Sequence, residues 1–307
     1  MKKLYAKIVQ IENRGSEHER QKMQSRFKVG DVFEVKEVHM GYSYTYIEIA
    51  DDWERYNSVF FDFYLDEACT ILHEIYKDPE YRGTRKSYLP TGEVKQVLLC
   101  VHGLGGSKES SAICELGRVL PEYGVAVIAF DLPQHGKYRR RYDTFTVEEC
   151  IRVVEKSDAY VRKTYPDVPV SIFATSFGAY LALCCMDKNK YEYKSVILRA
   201  PAVHMSEIFS KLTQADKQSH SLKYNIDFEG GLIKRDLAKT FSDKGDNYFY
   251  VIQGKKDELV DWRSVEHFFR QRCPDKHKFY FFEDADHRFK GEGELDKIVS
   301  ITKEILL

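Results

Sequence analysis

Val168-Pro169-Val170-Ser171-Ile172-Phe173-Ala174-Thr175-Ser176-Phe177-Gly178-Ala179-Tyr180-Leu181-Ala182-Leu183-Cys184-Cys185-Met186 holds a change of period. Its first half is short, apolar and β-branched, as a buried strand requires, and its second half is rich in good helix formers. Between them, Ala174-Thr175-Ser176-Phe177-Gly178 sets one serine among small residues. A serine on so tight a strand-to-helix turn is held in a strained backbone conformation with its hydroxyl pushed outward. Strand and helix pass close together there, so the positions two residues either side must be small, and Ala174 and Gly178 are. The turn also puts Ser176 at the positive end of the helix, whose free N–H groups can receive developing negative charge. Alone, a small-x-Ser-x-Gly pattern is common; the remaining chemistry has to come from elsewhere in the chain.

Outward from this turn, strands alternate with helices. Val94 to Val101 reads as a strand, Glu109 to Leu120 as a helix, Val125 to Phe130 as a buried strand and Val147 to Tyr165 as a long helix. Asp158 is the one polar break on that helix's apolar side. After the serine turn come strands at Ser195 to Arg199, Tyr248 to Ile252 and Lys278 to Phe282, and helices at Ser264 to Arg272 and Leu295 to Leu306. Such alternation predicts an α/β fold, a mostly parallel sheet with helices on both faces. It stops between Pro201 and Asp246, where scattered apolar anchors in a polar segment predict a small helical insertion, placed to form a cap.

Before residue 66 the period is that of strands: Leu4 to Ile11, Val32 to Val38, Tyr42 to Ile49 and Ser58 to Tyr64, with charged Asn13 to Lys28 separating the first two. Residues 1–65 are therefore expected to form a small all-β module, a compact barrel or curled sheet, with 66–307 as the α/β domain. Ala68 to Tyr76 fits either unit.

Composition narrows the function. The 307 residues carry a formal net charge of −1, which gives no electrostatic reason to expect nucleic acid. The run Arg139-Arg140-Arg141 is too short for a binding patch and reads as a solvated loop. No apolar stretch is long enough to span a bilayer, and the N-terminus lacks the apolar region of a signal peptide. Seven cysteines without paired spacing argue against a disulfide framework or a zinc site. The expected location is cytoplasmic.

A serine hydroxyl needs a base, usually a histidine oriented by a carboxylate, and on open α/β sheets reactive groups lie at the carboxyl ends of strands. Two strand ends after Ser176 supply them: Gln253-Gly254-Lys255-Lys256-Asp257-Glu258 and Glu283-Asp284-Ala285-Asp286-His287. Asp257 is preferred to Glu258 or Asp261 because it follows the tight turn at Gly254. His73, His204, His220, His267 and His277 lack comparable surroundings. The glycine-rich turn His102-Gly103-Leu104-Gly105-Gly106-Ser107 lacks both phosphate-binding spacings, and is expected to supply half an oxyanion hole. The N–H of Leu104 would act with that of Phe177.

With these residues the chain resembles the α/β-hydrolase superfamily, specifically its serine esterase and lipase-like branch, over roughly residues 66–307. The likeness rests on His102 to Gly106, Asp131-Leu132-Pro133-Gln134-His135-Gly136, Ala174 to Gly178, Gly254 to Asp257 and Asp286-His287-Arg288-Phe289. Gln134 stands where the family's Asp-x-Pro-Gly-His-Gly loop usually has glycine; this loop reads as structural, with no catalytic role for His135. The resemblance implies acyl transfer without metal or organic cofactor. Ser176 would be the nucleophile, His287 the general base and Asp257 its orienting acid. An insertion the size of 201–246 is similar to the caps of small carboxylesterases that take short acyl or aromatic esters. The expected substrate is thus a small-molecule ester. The triad serves amide, acyl-peptide or thioester hydrolysis equally, and a non-catalytic binding or sensor protein is the rival of a different class. Residues 1–65 would mediate self-association or hold a protein partner, or dock beside the site.

Overall fold

The structure, a computed structural model, describes residues 3–40, 45–50, 52, 54–75, 85–136, 145–211 and 226–307. Tyr42 to Tyr44 of one expected strand, the run Arg139-Arg140-Arg141 and residues 212–225 of the expected cap lie outside them. The chain divides into two compact units, Met1–Arg85 and Lys86–Leu307.

In the first unit, alternating burial shapes an antiparallel sheet of five strands: β1 (Tyr5–Ile8), β2 (Val32–Met40), β3 (Thr45–Ile49), β4 (Arg55–Asn57) and β5 (Phe61–Tyr64). Their order is β4-β3-β2-β1-β5. The charged separator contains a helix that the sequence period hid, α1 (Glu17–Arg26), on which only Met23 is buried. Without an apolar stripe its helical period is invisible; the legible signal was a capping box. Ser16 Oγ accepts from the Glu19 N–H at 3.3 Å, and Glu19 Oε2 accepts from the Ser16 N–H at 2.7 Å. Ala6, Ile8, Met23, Ile47 and Phe60 form the centre of the unit's core.

The boundary falls at Arg85/Lys86 rather than near residue 66, because the segment after β5 folds back onto it. The Leu65 N–H donates to the Ile71 carbonyl at 2.9 Å and the His73 N–H to the Phe63 carbonyl at 2.7 Å, and Ile75 is wholly buried in this unit's core.

The second unit is built on seven strands: β6 (Arg85–Tyr88), β7 (Gln96–Val101), β8 (Val125–Phe130), β9 (Val170–Thr175), β10 (Val196–Arg199), β11 (Phe249–Gly254) and β12 (His277–Phe282). Their order is β12-β11-β10-β9-β7-β8-β6, and β7 to β12 pair in parallel. The period of two along each strand splits the core into two layers. Val97, Leu99 and Val101 join one, with α3 (Val147–Thr164) and α4 (Phe177–Lys188); Leu98 and Cys100 join the other, with α2 (Ser111–Val119). Both faces are thus covered, as a parallel sheet demands. Phe177 to Met186 of α4 are all buried, which explains a sequence apolar on every side. Asp158, the break on α3, is satisfied by the Tyr193 hydroxyl at 2.9 Å and Arg162 Nε at 2.7 Å. The insertion after β10 is helical where described: α5 (Met205–Lys211), α6 (Ile226–Lys234) and α7 (Leu237–Thr240). The chain finishes with α8 (Trp262–Arg272), which joins the α3 and α4 layer, and α9 (Glu294–Leu306), which packs beside α2. All seven cysteines are free. Among the described residues no helix is long and apolar enough to cross a membrane.

Candidate active site

Ser176 ends β9 and opens α4 with φ 51° and ψ −117°, a conformation that residues with a side chain rarely adopt. The strain is held by hydrogen bonds: the Ser176 N–H donates to the Arg199 carbonyl at 2.9 Å, and the Ser176 carbonyl accepts from Tyr180 and Ala202. Gly178 is required by close approach, since a Cβ there would sit 2.4 Å from the His102 carbonyl oxygen and 2.6 Å from that of Val101. The serine turn and the glycine-rich loop after β7 therefore touch backbone to backbone.

The loops after β11 and β12 bring Asp257 and His287 to this serine. His287 Nε2 lies 3.0 Å from Ser176 Oγ, and His287 Nδ1 lies 2.8 Å from Asp257 Oδ2. A carboxylate only accepts, so Nδ1 carries the proton and Nε2 is left to accept from the serine hydroxyl. The Asp257 side chain is fully buried (0% exposed) while that of His287 keeps 13% exposure, so the acid is shielded from water and the imidazole is open to a ligand. Asp257 Oδ1 accepts from the Leu259 N–H at 2.9 Å and the Val260 N–H at 2.8 Å, and Oδ2 also accepts from Gln253 Nε2 at 3.2 Å. Glu258 Oε2 accepts from the His287 N–H at 3.2 Å, fixing the histidine's backbone. Gly254 permits the crossing of the two loops; a Cβ there would lie 2.3 Å from the Ala285 carbonyl oxygen.

Two histidines lace the glycine-rich loop to the loop after β8. His102 Nδ1 lies 2.8 Å from the Gly103 carbonyl, and its Nε2 accepts from the Leu132 N–H at 3.0 Å. His135 Nδ1 lies 2.7 Å from the Pro133 carbonyl, and its Nε2 accepts from the Gly105 N–H at 2.9 Å. A carbonyl can only accept and an amide only donate, so both rings are neutral with the proton on Nδ1. Burial drives His102 down to about 3, with His135 and Lys108 adding to the effect. A buried ion pair, Lys108 Nζ to Asp131 Oδ2 at 2.8 Å, ties the same two loops. Gln134, in place of the usual glycine, has φ 58°, the left-handed conformation that glycine would adopt without strain.

Leu104 lies in the loop so fixed and lines the cavity beside Ser176; the Phe177 N–H is the first of α4 and has no intrahelical acceptor. The cavity has a volume of about 640 Å³. Leu104, Ile113, Met205 and Ile208 give it apolar walls, and Glu258, Arg199 and Arg288 give it charge. Met205 and Ile208 belong to α5, so the insertion after β10 does contribute to the walls. Two residues here were not placed from sequence: Gln253, which holds Asp257, and Arg199. Their signal was a polar residue near the end of an otherwise apolar strand, Val251-Ile252-Gln253 and Ile197-Leu198-Arg199.

The sequence matches the family described as serine aminopeptidase, S33, over residues 92–246, half of the chain, and bacteriophage T4 protein Y07B over residues 3–86. No curated protein matches it. Among solved structures, mouse α/β-hydrolase domain-containing protein 10 is similar, with a TM-score of 0.59 at 16% identity over 72% of this chain and 92% of that one. Est1E from Butyrivibrio proteoclasticus, solved with ferulic acid bound, gives 0.57 at 17% over 72% and 93%. A serine hydrolase without lid from Xanthomonas campestris gives 0.53 at 18% over 72% and 87%. At such identities these structures bear on the fold alone. The sequence match and the fold agree: the chain belongs to the α/β hydrolases, in the S33 serine aminopeptidase family.

Proposed function

We propose that the chain is a serine carboxylesterase acting on esters of small to medium acyl or aromatic groups. The observation that carries this reading is the unbroken line from Ser176 Oγ through His287 to buried Asp257, with links of 3.0 and 2.8 Å, opening into a cavity. As Ser176 Oγ attacks the ester carbonyl carbon, His287 Nε2 takes its proton, and Asp257 stabilises the imidazolium. The carbonyl oxygen becomes an oxyanion that the Leu104 and Phe177 N–H groups receive. In the glycine-rich loop the Gly105 N–H is taken by His135, the Gly106 N–H by Gly103 and the Ser107 N–H by Ser110, while the Leu104 N–H has no partner among the described residues. That pattern leaves the Leu104 N–H free to donate, as it does that of Gly103. The imidazolium returns its proton to the departing alkoxide, and a water molecule, activated by the same nitrogen, releases the acid.

A cavity of about 640 Å³ suits a small molecule, and the ferulic acid held by Est1E makes an aromatic acyl group a reasonable first substrate. The family description favours a second reading, hydrolysis of an N-terminal amide on the same residues. Labelling with a fluorophosphonate tests both, since either requires an activated serine. The wild type is expected to label and Ser176→Ala not to; labelling that survives Ser176→Ala would remove Ser176 as nucleophile. Turnover of p-nitrophenyl esters against aminoacyl p-nitroanilides then separates ester from amide.

A further inference from the structure

Arg199 closes β10 beside the nucleophile turn. Its backbone is fixed on both sides: it pairs with Thr175 of β9 and Ile252 of β11, and its carbonyl accepts from the Ser176 N–H at 2.9 Å. The pleat sets its side chain on the sheet face of Ile197, where the guanidinium carbon stands 5.4 Å from the centre of the Phe289 ring. It lines the cavity that holds Ser176 and His287. Its Nε is buried with no hydrogen-bond partner, and among the described residues none accepts a hydrogen bond from, or forms an ion pair with, this guanidinium. Asp257 and Asp286 act on it only through space, and the oxygens of Asp257 are already engaged by His287, Gln253, Leu259 and Val260.

The residue is half-buried, with Nε shut away and the rest of the guanidinium at the cavity wall. Partial burial of a cation without a hydrogen-bonded counter-ion is costly, and burial pulls this arginine's pKa down to about 10. It still carries its charge at neutral pH. Such a group at the wall of a binding cavity is satisfied by a ligand that brings the missing acceptors. A guanidinium presents a planar fork of donors that matches a carboxylate. Arg199 and Arg288 set against Glu258 in the lining, with Asp257 and Asp286 acting on Arg199 through space, leave a charge balance that suits a monoanion better than a doubly charged phosphate ester.

We propose that Arg199 binds a carboxylate carried by the substrate, so that the ester this chain cleaves is anionic, for example the half-ester of a dicarboxylic acid. The inference rests on the hydrolase reading for its substrate but not for its binding site. The test therefore has two arms. In the first, wild-type enzyme hydrolyses the monoethyl esters of succinic, glutaric and adipic acid, compared with ethyl butanoate, pentanoate and hexanoate. The best half-ester is expected to exceed its neutral counterpart in kcat/KM by about tenfold or more, the worth of a charge-assisted hydrogen bond in a shielded site. In Arg199→Gln that ratio should fall towards one, and Arg199→Lys, which keeps the charge but not the fork, should keep part of it. In the second arm, calorimetry on Ser176→Ala measures binding of the same half-ester, with Ser176→Ala/Arg199→Gln as control. Carboxylate binding that depends on Arg199, even without turnover in the first arm, supports the anion site and sinks the ester reading instead. Equal kcat/KM and equal affinity for charged and neutral esters overturns the anion site and leaves the hydrolase reading standing.

Discussion

His102 couples the glycine-rich loop to the protonation state of a single ring nitrogen. Its Nε2 accepts from the Leu132 N–H, so a proton there breaks that bond and places a charge in a buried site. The folded chain holds His102 at about 3, against about 6.5 for an unperturbed histidine. Between these values the unfolded chain binds the extra proton, so stability is complete above about pH 6.5 and is lost as pH falls towards 3. The slope from this residue is about 1.4 kcal/mol per pH unit in the middle of that window. Urea midpoints measured from neutral to acid pH should show it in the wild type, and His102→Gln, less stable at neutral pH, should show a flatter dependence. At this scale the sequence was informative where position along the chain was enough. Ser176, Asp257 and His287 each follow a strand, in an order the fold brings together. Arg199 and Gln253 were not legible, because their roles depend on which neighbours the sheet register supplies: Arg199 lies opposite Thr175, and Gln253 lies below Asp257 only because the loop after β11 turns back over its own strand.

The crossing of β7, β9 and α4 leaves no room at Gly178, where the clashing atoms are backbone rather than the end of a flexible side chain. Gly178→Ala is expected to destabilise the chain by roughly 2–3 kcal/mol and to lower fluorophosphonate labelling, because relief of the clash moves the serine turn away from the glycine-rich loop. Gly230 in α6 provides the contrast. Nothing lies within 4 Å of a Cβ built there, so Gly230→Ala should stabilise by about 0.5–1 kcal/mol through the unfolded chain and better helix propensity. Urea denaturation of the two variants checks the opposite signs. Elements with a buried stripe or a buried run, such as α3 and α4, were legible from period alone. Helix α1 was not, since it buries only Met23 and depends on its capping box and on contacts made by the rest of its unit.

Each unit has a core of its own: the cluster around Ile8 and Phe60 draws only on residues 4–75, and the two layers around the parallel sheet draw only on residues after 85. The two sequence matches, residues 3–86 and 92–246, respect the same division. Ser176, Asp257, His287 and every residue lining the cavity belong to the second unit. Where the division falls could not be read from sequence, because Ala68 to Tyr76 is apolar enough for either core; it is settled by the backbone bonds of Leu65 and His73 and by the burial of Ile75. Two truncations follow from it. Removal of residues 1–75 takes away the whole core of the first unit and leaves β6 intact, so Ser176 should still label and the urea midpoint of the remainder should hold. Removal of residues 1–65 alone strands the next ten residues: Ile71 and His73 lose the partners that β5 and Leu65 provide, and Ile75 loses its core. That shorter deletion should give the lower soluble yield, measured as labelled protein per mass of cells. A loss of labelling in the longer deletion, with its urea transition intact, would instead assign the first unit a share in the site.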